Sequence, residues 1–200
     1  GQIRERWDGA HHMVDHQGYS TVMAVPYNMY VSGYDTQAVS LLRLWKAKSP
    51  GIDMEKFNQG DYLGAFGQKS YAEVISKVLY PNDNHTEGKL LRLRQQYFLV
   101  AAAVGDIFRR HMSVYGTIDN FAGKNAIHIN DTHPPLAIPG LMRVLLDECG
   151  YSWEQSWDIV TRTFAYTNHT VMSEALEEWD VGLHQPLLPR IYQIIEEINR

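Results

Sequence analysis

The order of hydrophobic and polar positions along this chain divides it into a first half of uneven pattern and a second half of regular alternation. Residues 19–31, YSTVMAVPYNMYV, concentrate Val, Tyr and Thr. They predict extended strands, kinked or placed at an edge where Pro26 withholds a backbone donor. In TQAVSLLRLWKAK, residues 36–48, Val39, Leu42 and Trp45 recur at three-residue spacing behind Asp35 as a candidate cap, with Pro50-Gly51 beyond. That spacing predicts a helix. Ser70-x-x-Glu73 has the form of a capping box and predicts a helix from about Tyr71 to Leu79, with Tyr71, Val74, Ile75 and Val78 on one face. The helix is expected to stop at YPNDN, residues 80–84, and a longer one is expected from about Leu90 to Met112, with an alanine-rich middle.

The second half alternates. NAIHI, residues 125–129, reads as a buried strand, and PGLMRVLLDECG as a helix with Pro139 near its start and Gly150 after its end. Ser152-x-x-Gln155 caps a further helix, and TFAYT, residues 163–167, reads as the next strand. Strands alternating with helices predict a parallel sheet flanked by helices, an α/β fold whose ligands bind beyond the carboxyl ends of the strands. Polar clusters stand at those ends: Asn130, Asp131, Thr132 and His133 after the first strand, and Thr167, Asn168, His169 and Thr170 after the second. The division expected is residues 1–34 mainly β, 35–112 mainly helical with a loop at 80–86, and 125–200 alternating.

Composition narrows the function classes. The chain has 200 residues, 44% hydrophobic and 20% charged, and a formal net charge of −5 from 18 basic and 23 acidic side chains. This balance argues against nucleic acid or an anionic membrane as partner. One cysteine, Cys149, excludes a disulfide or cysteine-zinc framework within the chain and fits a reducing cytoplasm. No signal peptide or membrane span is predicted, and both ends are expected to be cut from a longer chain.

Each polar cluster has two readings. Asp131 and His133 could cap the following helix, since Asp, Asn and Thr are favoured caps. YPNDN is ordinary turn chemistry between helices, and Glu174 and Glu177 suit a solvated helix face. Three such clusters in one short chain nonetheless point to a neutral, hydroxyl-rich ligand, because amides, carboxylates and imidazoles bind sugars. Metal hydrolysis is the rival chemistry: His128, Asp131 and His133, or His11, His12, Asp15 and His16, supply ligand types, but at no common zinc spacing. Strand alternation would also set His128 and Asp131 on opposite faces. Nucleophilic catalysis lacks a G-x-S-x-G motif.

The blocks RLWKAKSP, KVLYPNDN, EGKLLRLRQQYF, NDTHPPLAIPGLMRVLLDE, AYTNHTVMSEALEEW and LLPRIYQIIEEIN occur in that order and cover nearly the whole chain from about Tyr27. Together they resemble the α-glucan phosphorylases, the glycogen, starch and maltodextrin enzymes. The resemblance implies a fragment of the N-terminal domain, one partial Rossmann-like half of a two-Rossmann-domain glycosyltransferase. It further implies release of terminal α-1,4-linked glucosyl units by inorganic phosphate, as α-D-glucose 1-phosphate with retention. Pyridoxal phosphate, on a lysine of the missing C-terminal domain, would supply its phosphate group for proton transfer. The intact enzyme would be a cytoplasmic homodimer, with the Tyr71–Leu79 helix near its partner.

The same resemblance implies roles for individual residues. YPNDN would gate the catalytic site, with Asn84 on the glucosyl 2-hydroxyl and Asp83 shaping the pocket beside it. His169 would bind the 6-hydroxyl, with Thr170 adjoining, while Asp131, His133, Arg92, Glu174 and Glu177 would line a water-filled pocket on the β side of the anomeric carbon. Several features depart from vertebrate members. The segment after Arg109-Arg110 is short, which leaves control by a nucleotide effector without its expected site, and His85 stands where an aromatic residue would stack a purine-type inhibitor. No lysine lies in a cofactor-binding motif. The alternative from another class is a non-catalytic carbohydrate-binding or assembly module that keeps this part of the site.

Overall fold

The structure, a computed structural model, describes residues 1–9 and 11–200. The chain opens with β1 (Gln2–Asp8) and β2 (His11–Gln17), then β3 (Met23–Ser32) and β4 (Val39–Lys48). The short helix α1 (Met54–Asn58), α2 (Tyr62–Val74) and the long α3 (Thr86–Tyr115) follow. Next come α4 (Phe121–Lys124), β5 (Ile127–Asn130), α5 (Ala137–Arg143) and α6 (Trp153–Thr163). The chain closes through β6 (Phe164–Thr167), α7 (Val181–Leu187) and α8 (Pro189–Ile198). The fold is α/β. The described residues form two compact units, one of residues 20–98 and one of residues 1–19 with 99–200.

In the 20–98 unit, β3 and β4 pair antiparallel from Met23↔Lys48 to Ser32↔Val39. Pro26 faces Trp45 in that register, as a strand residue without a donor can where the pairing has an open edge. The helix expected over residues 36–48 is therefore corrected to a strand. Its three-residue apolar spacing competes with a two-residue one: Arg43, Trp45 and Ala47 are sheltered while Leu42, Leu44 and Lys46 are exposed. Pairing with β3 decides between them, because strand formation depends on what packs alongside. The expected helical region thus starts only at Met54. Asp53 and Asp61 cap α1 and α2, accepting from Lys56 N and Gly64 N. The capping box expected at Ser70-x-x-Glu73 lies inside α2, which begins eight residues earlier and ends at Val74, short of the expected Leu79. Asp61 is the stronger start signal because Gly60, with φ 85°, breaks the chain before it. Ala65, Ala72, Ile75 and Leu93 are buried in this unit.

In the other unit, β5 and β6 pair in parallel through Ile127↔Phe164, His128↔Ala165, Ile129↔Tyr166 and Asn130↔Thr167. The two strands expected there and the helices between them are present. Parallel strands need a crossover, and here α5, a π-helical turn (Val144–Glu148) and α6 provide it. Ser152 and Gln155 complete the capping box on α6 reciprocally. Two paired strands are fewer than a doubly wound sheet requires. The α5 helix packs against α6 and α8, and Leu141, Met142, Leu145, Ile159, Val160, Ile191 and Ile194 form the buried core there. Tyr151 donates to Asp119 Oδ1 at 2.5 Å, tying the segment before α6 to the turn before α4. That carboxylate pushes the Tyr151 hydroxyl up to about 12.

One ion pair lies within this core. Arg190 of α8 donates to Asp147 through Nε at 3.0 Å and Nη2 at 2.6 Å, with the two side chains only 7% and 8% exposed. Arg190 also donates to Gln193, Gln193 to Glu5 of β1, and Glu5 lies 2.7 Å from His12 of β2. His12 and Asp15, offered above as metal ligands, are thus engaged within the hairpin, Asp15 by Arg6 at 3.1 Å. The side chain of His11 lies outside the described residues. Removing one member of a buried pair strands the other charge, so Arg190→Met should destabilise the intact protein by about 3–5 kcal/mol. Arg190→Met combined with Asp147→Leu should recover most of that loss. The denaturant midpoints of the three proteins test this; an unchanged midpoint in Arg190→Met would refute it.

Candidate functional site

Two of the three polar clusters meet at the carboxyl ends of β5 and β6. The ladder runs one step past the strands, Asp131 N donating to Thr167 O at 2.7 Å. There the chain turns: Asp131 has φ 74°, a left-handed conformation that Asp tolerates better than most residues. Its own Oδ1 accepts from Thr132 N at 2.7 Å and closes the turn. Side-chain bonds join the two ends directly. His128 Nε2 lies 2.7 Å from Thr167 Oγ1, and His169 Nε2 lies 2.6 Å from Asn130 Oδ1, each pair 39 residues apart in sequence. Asn168 Oδ1 accepts from Thr170 N at 2.9 Å, a turn that leaves His169 at its tip.

The capping role considered for Asp131 and His133 is not the one adopted, since α5 has Leu136 at its N-cap and no side-chain cap. Asp131 lies past the end of β5, so strand alternation with His128 does not extend to it. Asp131, His133, Thr170 and Glu177 are half-buried, and His169 and Glu174 are exposed. Glu174 sits in a 3-10 turn, Ser173–Ala175, beyond β6 rather than on the helix face considered for it, and Ser173 Oγ lies 3.3 Å from Glu174 Oε2.

The third cluster, YPNDN, belongs to the 20–98 unit with Arg92. Tyr80 opens it at φ 54°. Asn82 Oδ1 accepts from Asn84 N at 2.9 Å, the same two-residue turn as Asn168 makes. Asp83 Oδ2 accepts from Arg92 Nη1 at 3.3 Å, tying the loop to α3. The loop also rests on the first turn of that helix. A Cβ on Gly88 would run into the Asn82 carbonyl, so only glycine permits the approach. His85 starts α3: its carbonyl accepts from Lys89 N at 3.1 Å and its Nδ1 from Gly88 N at 3.0 Å. An imidazole does here what a cap carboxylate usually does.

The structure therefore brings Asp131, His169 and Thr170 to one strand-end cluster and Asp83, Asn84 and Arg92 to one loop. Sequence reasoning saw Asn130, Thr167 and Asn82 only as cluster members, His128 as a rival metal ligand and His85 as a departure, and passed over Gly88; it missed that these residues connect the two groups internally. The two turns had a signal, an asparagine two residues before an N–H that must be held. The bonds between strands had none, because they depend on register.

A sequence model of the carbohydrate phosphorylase family matches residues 1–200. The chain is 49% identical to the glycogen phosphorylase of Pasteurella multocida over 179 residues, which is 89% of this chain and 22% of that protein. It is 51% identical to the muscle-form glycogen phosphorylase of Homo sapiens over 188 residues, 90% of this chain and 22% of that one. With the Bacillus subtilis glycogen phosphorylase the identity is 48% over 184 residues, 92% and 22% of the two chains. The chain belongs to the carbohydrate phosphorylase family and spans about a fifth of the length of these relatives.

The approach at Gly88 generates a prediction. Gly88→Ala should displace Asn82 and with it the loop that carries Asp83 and Asn84, speeding amide hydrogen exchange across residues 80–84 of the intact protein about tenfold or more. Circular dichroism should show α3 retained. Exchange rates within twofold of the parent would show that the loop accommodates the added methyl without shifting.

Proposed function

We propose that this chain is the glucosyl-binding part of an α-glucan phosphorylase, which transfers terminal α-1,4-linked glucosyl units to inorganic phosphate and releases α-D-glucose 1-phosphate. The observation that carries this reading is the hydrogen-bonded junction of residues 130–132 with 167–170, at the strand ends of a chain about half identical to glycogen phosphorylases. On this reading the β5–β6 pair is part of a larger Rossmann-like sheet completed by the rest of the polypeptide. His169 binds the 6-hydroxyl with Thr170 beside it, and Asn84 binds the 2-hydroxyl with Asp83 alongside. Asp131, His133, Arg92, Glu174 and Glu177 line the β side of the anomeric carbon.

The chemistry these residues supply is recognition and field. An oxocarbenium-like transition state gains from fixed dipoles and from hydroxyl hydrogen bonds that tighten as charge develops. Carboxylates on the β face favour positive charge at the anomeric carbon. Phosphate and the proton that the leaving oxygen takes must come from elsewhere. Pyridoxal phosphate, which the family resemblance implies, needs a sequestered lysine. The lysines here do not fit: Lys46, Lys48, Lys69, Lys77, Lys89 and Lys124 are exposed, and Lys56 lies 3.9 Å from Asp53. The cofactor is assigned to the polypeptide beyond this chain.

Two tests follow. The intact protein should form glucose 1-phosphate from maltoheptaose and phosphate, and His169→Ala should lower kcat/KM about a hundredfold. The 200-residue chain alone should form none and bind maltose no better than millimolar, roughly 4 kcal/mol. Binding without turnover in the intact protein would favour a non-catalytic glucan-binding module instead. The second test concerns the homodimer proposed for the intact enzyme. Ile75 is buried and would report on folding alone, whereas Leu63 of α2 and Val78 beyond it are 88% and 69% exposed. Leu63→Asp with Val78→Asp should shift the intact protein towards monomer in sedimentation; unchanged dimer mass would argue against these residues as part of the interface.

A further inference from the structure

We infer that Asn130 is a positioning residue for His169, selecting the imidazole tautomer that meets the glucosyl 6-hydroxyl; this rests on the sugar-facing role proposed for His169. The amide oxygen of Asn130 lies 2.6 Å from Nε2. A carbonyl oxygen only accepts, so Nε2 carries the hydrogen and the neutral ring keeps its lone pair on Nδ1. Which nitrogen of a histidine is protonated is set by the bond the other one makes. The atom left for a ligand is therefore an acceptor, matched to a hydroxyl that donates.

The anchor is well placed for this task. Asn130 is the last residue of β5, in register with Thr167, and the next N–H of its chain is bonded across to Thr167 O. Its amide thus reaches from a backbone held by the ladder to a histidine held at the tip of a two-residue turn, Asn168 Oδ1 to Thr170 N. His169 is exposed and stands beyond its strand. Without Asn130 the turn would still set its backbone, while ring rotation and tautomer would go unselected. Asn130 does not touch the sugar on this account. It contributes to specificity by presenting one acceptor in one direction, so that a ligand lacking the 6-hydroxyl leaves that acceptor unpaired.

The experiment uses the intact protein in the synthetic direction, with α-D-glucose 1-phosphate and its 6-deoxy analogue as donors to a maltooligosaccharide. The readout is the ratio of the two kcat/KM values. Asn130→Ala should reduce the preference for the 6-hydroxyl donor about tenfold, the effect of one well-aligned hydrogen bond. Asn130→Asp, which keeps an oxygen acceptor in the same place, should retain most of the preference. His169→Ala should abolish it, and adding Asn130→Ala to His169→Ala should change the ratio no further, because the two act as one unit. A loss of rate that is equal for both donors in Asn130→Ala would mean a structural role only, and would overturn the inference. So would a ratio in Asn130→Asp that falls as far as in Asn130→Ala. If His169→Ala itself leaves the ratio unchanged, the reading of His169 fails and this inference with it; if only His169→Ala lowers it, the failure is confined to Asn130.

Discussion

The hydrogen bond from Asp131 N to Thr167 O, one step past the end of a parallel ladder, is the constraint on which the strand-end cluster depends. It is the point at which two segments far apart in sequence acquire a common origin. Given that rung, Asn130 lies opposite Thr167, His128 reaches the Thr167 hydroxyl, and His169 reaches the Asn130 amide. A slip of one residue would send each of these side chains to the other face of the sheet. The left-handed turn at Asp131 follows from the same rung. The chain must leave the strand at once, and an aspartate whose own oxygen takes the next N–H makes that exit at modest strain.

A rung of this kind is only as fixed as what lies behind it. The crossover between the strands is packed by apolar faces of α5, α6 and α8, and close packing resists shifts of a fraction of an ångström. Hydrophobic contact is itself non-directional. The Arg190–Asp147 pair is not, because two donors meet two acceptors in one geometry. Its value lies in fixing how α8 sits on the π-helical turn rather than in net stability, since replacing a buried pair by apolar groups is often neutral. Gln193 and Glu5 extend that register to the β1–β2 hairpin.

What could be read from the sequence follows the range of the interactions. The capping box at Ser152 and Gln155, the long helix α3, the strands β5 and β6 and their parallel pairing all rest on local patterns or on simple alternation, and these were legible. Residues 39–48 were not, because Val39, Leu42 and Trp45 satisfy helical spacing while Trp45 and Ala47 satisfy strand spacing. Only the partner strand Met23–Ser32 decides between them. The start of α2 was misplaced because Ser70 and Glu73 match a capping motif that a helix interior is free to contain; Asp61 after Gly60 was the true signal. At the candidate site the clusters were visible as clusters. Asn130 was seen as one polar residue among four, and its bond to His169 is invisible without register.

The two groups of candidate residues therefore rest on different energetic footings. The arrangement at Asn130, Asp131 and His169 is long-range: disturbing it means breaking a ladder and moving a packed crossover. The YPNDN arrangement is local, made of Asn82 with Asn84, Asp83 with Arg92, and a backbone lying on Gly88 within the first turns of α3. The Asp83–Arg92 pair is partly exposed, with side chains 48% and 25% accessible, so solvent weakens it. Segments held this way open at low free energy while the cores beside them do not. Under the function proposed above, a firmly held strand-end cluster would fix dipoles against a developing charge, and a more easily displaced loop would admit the glucan end.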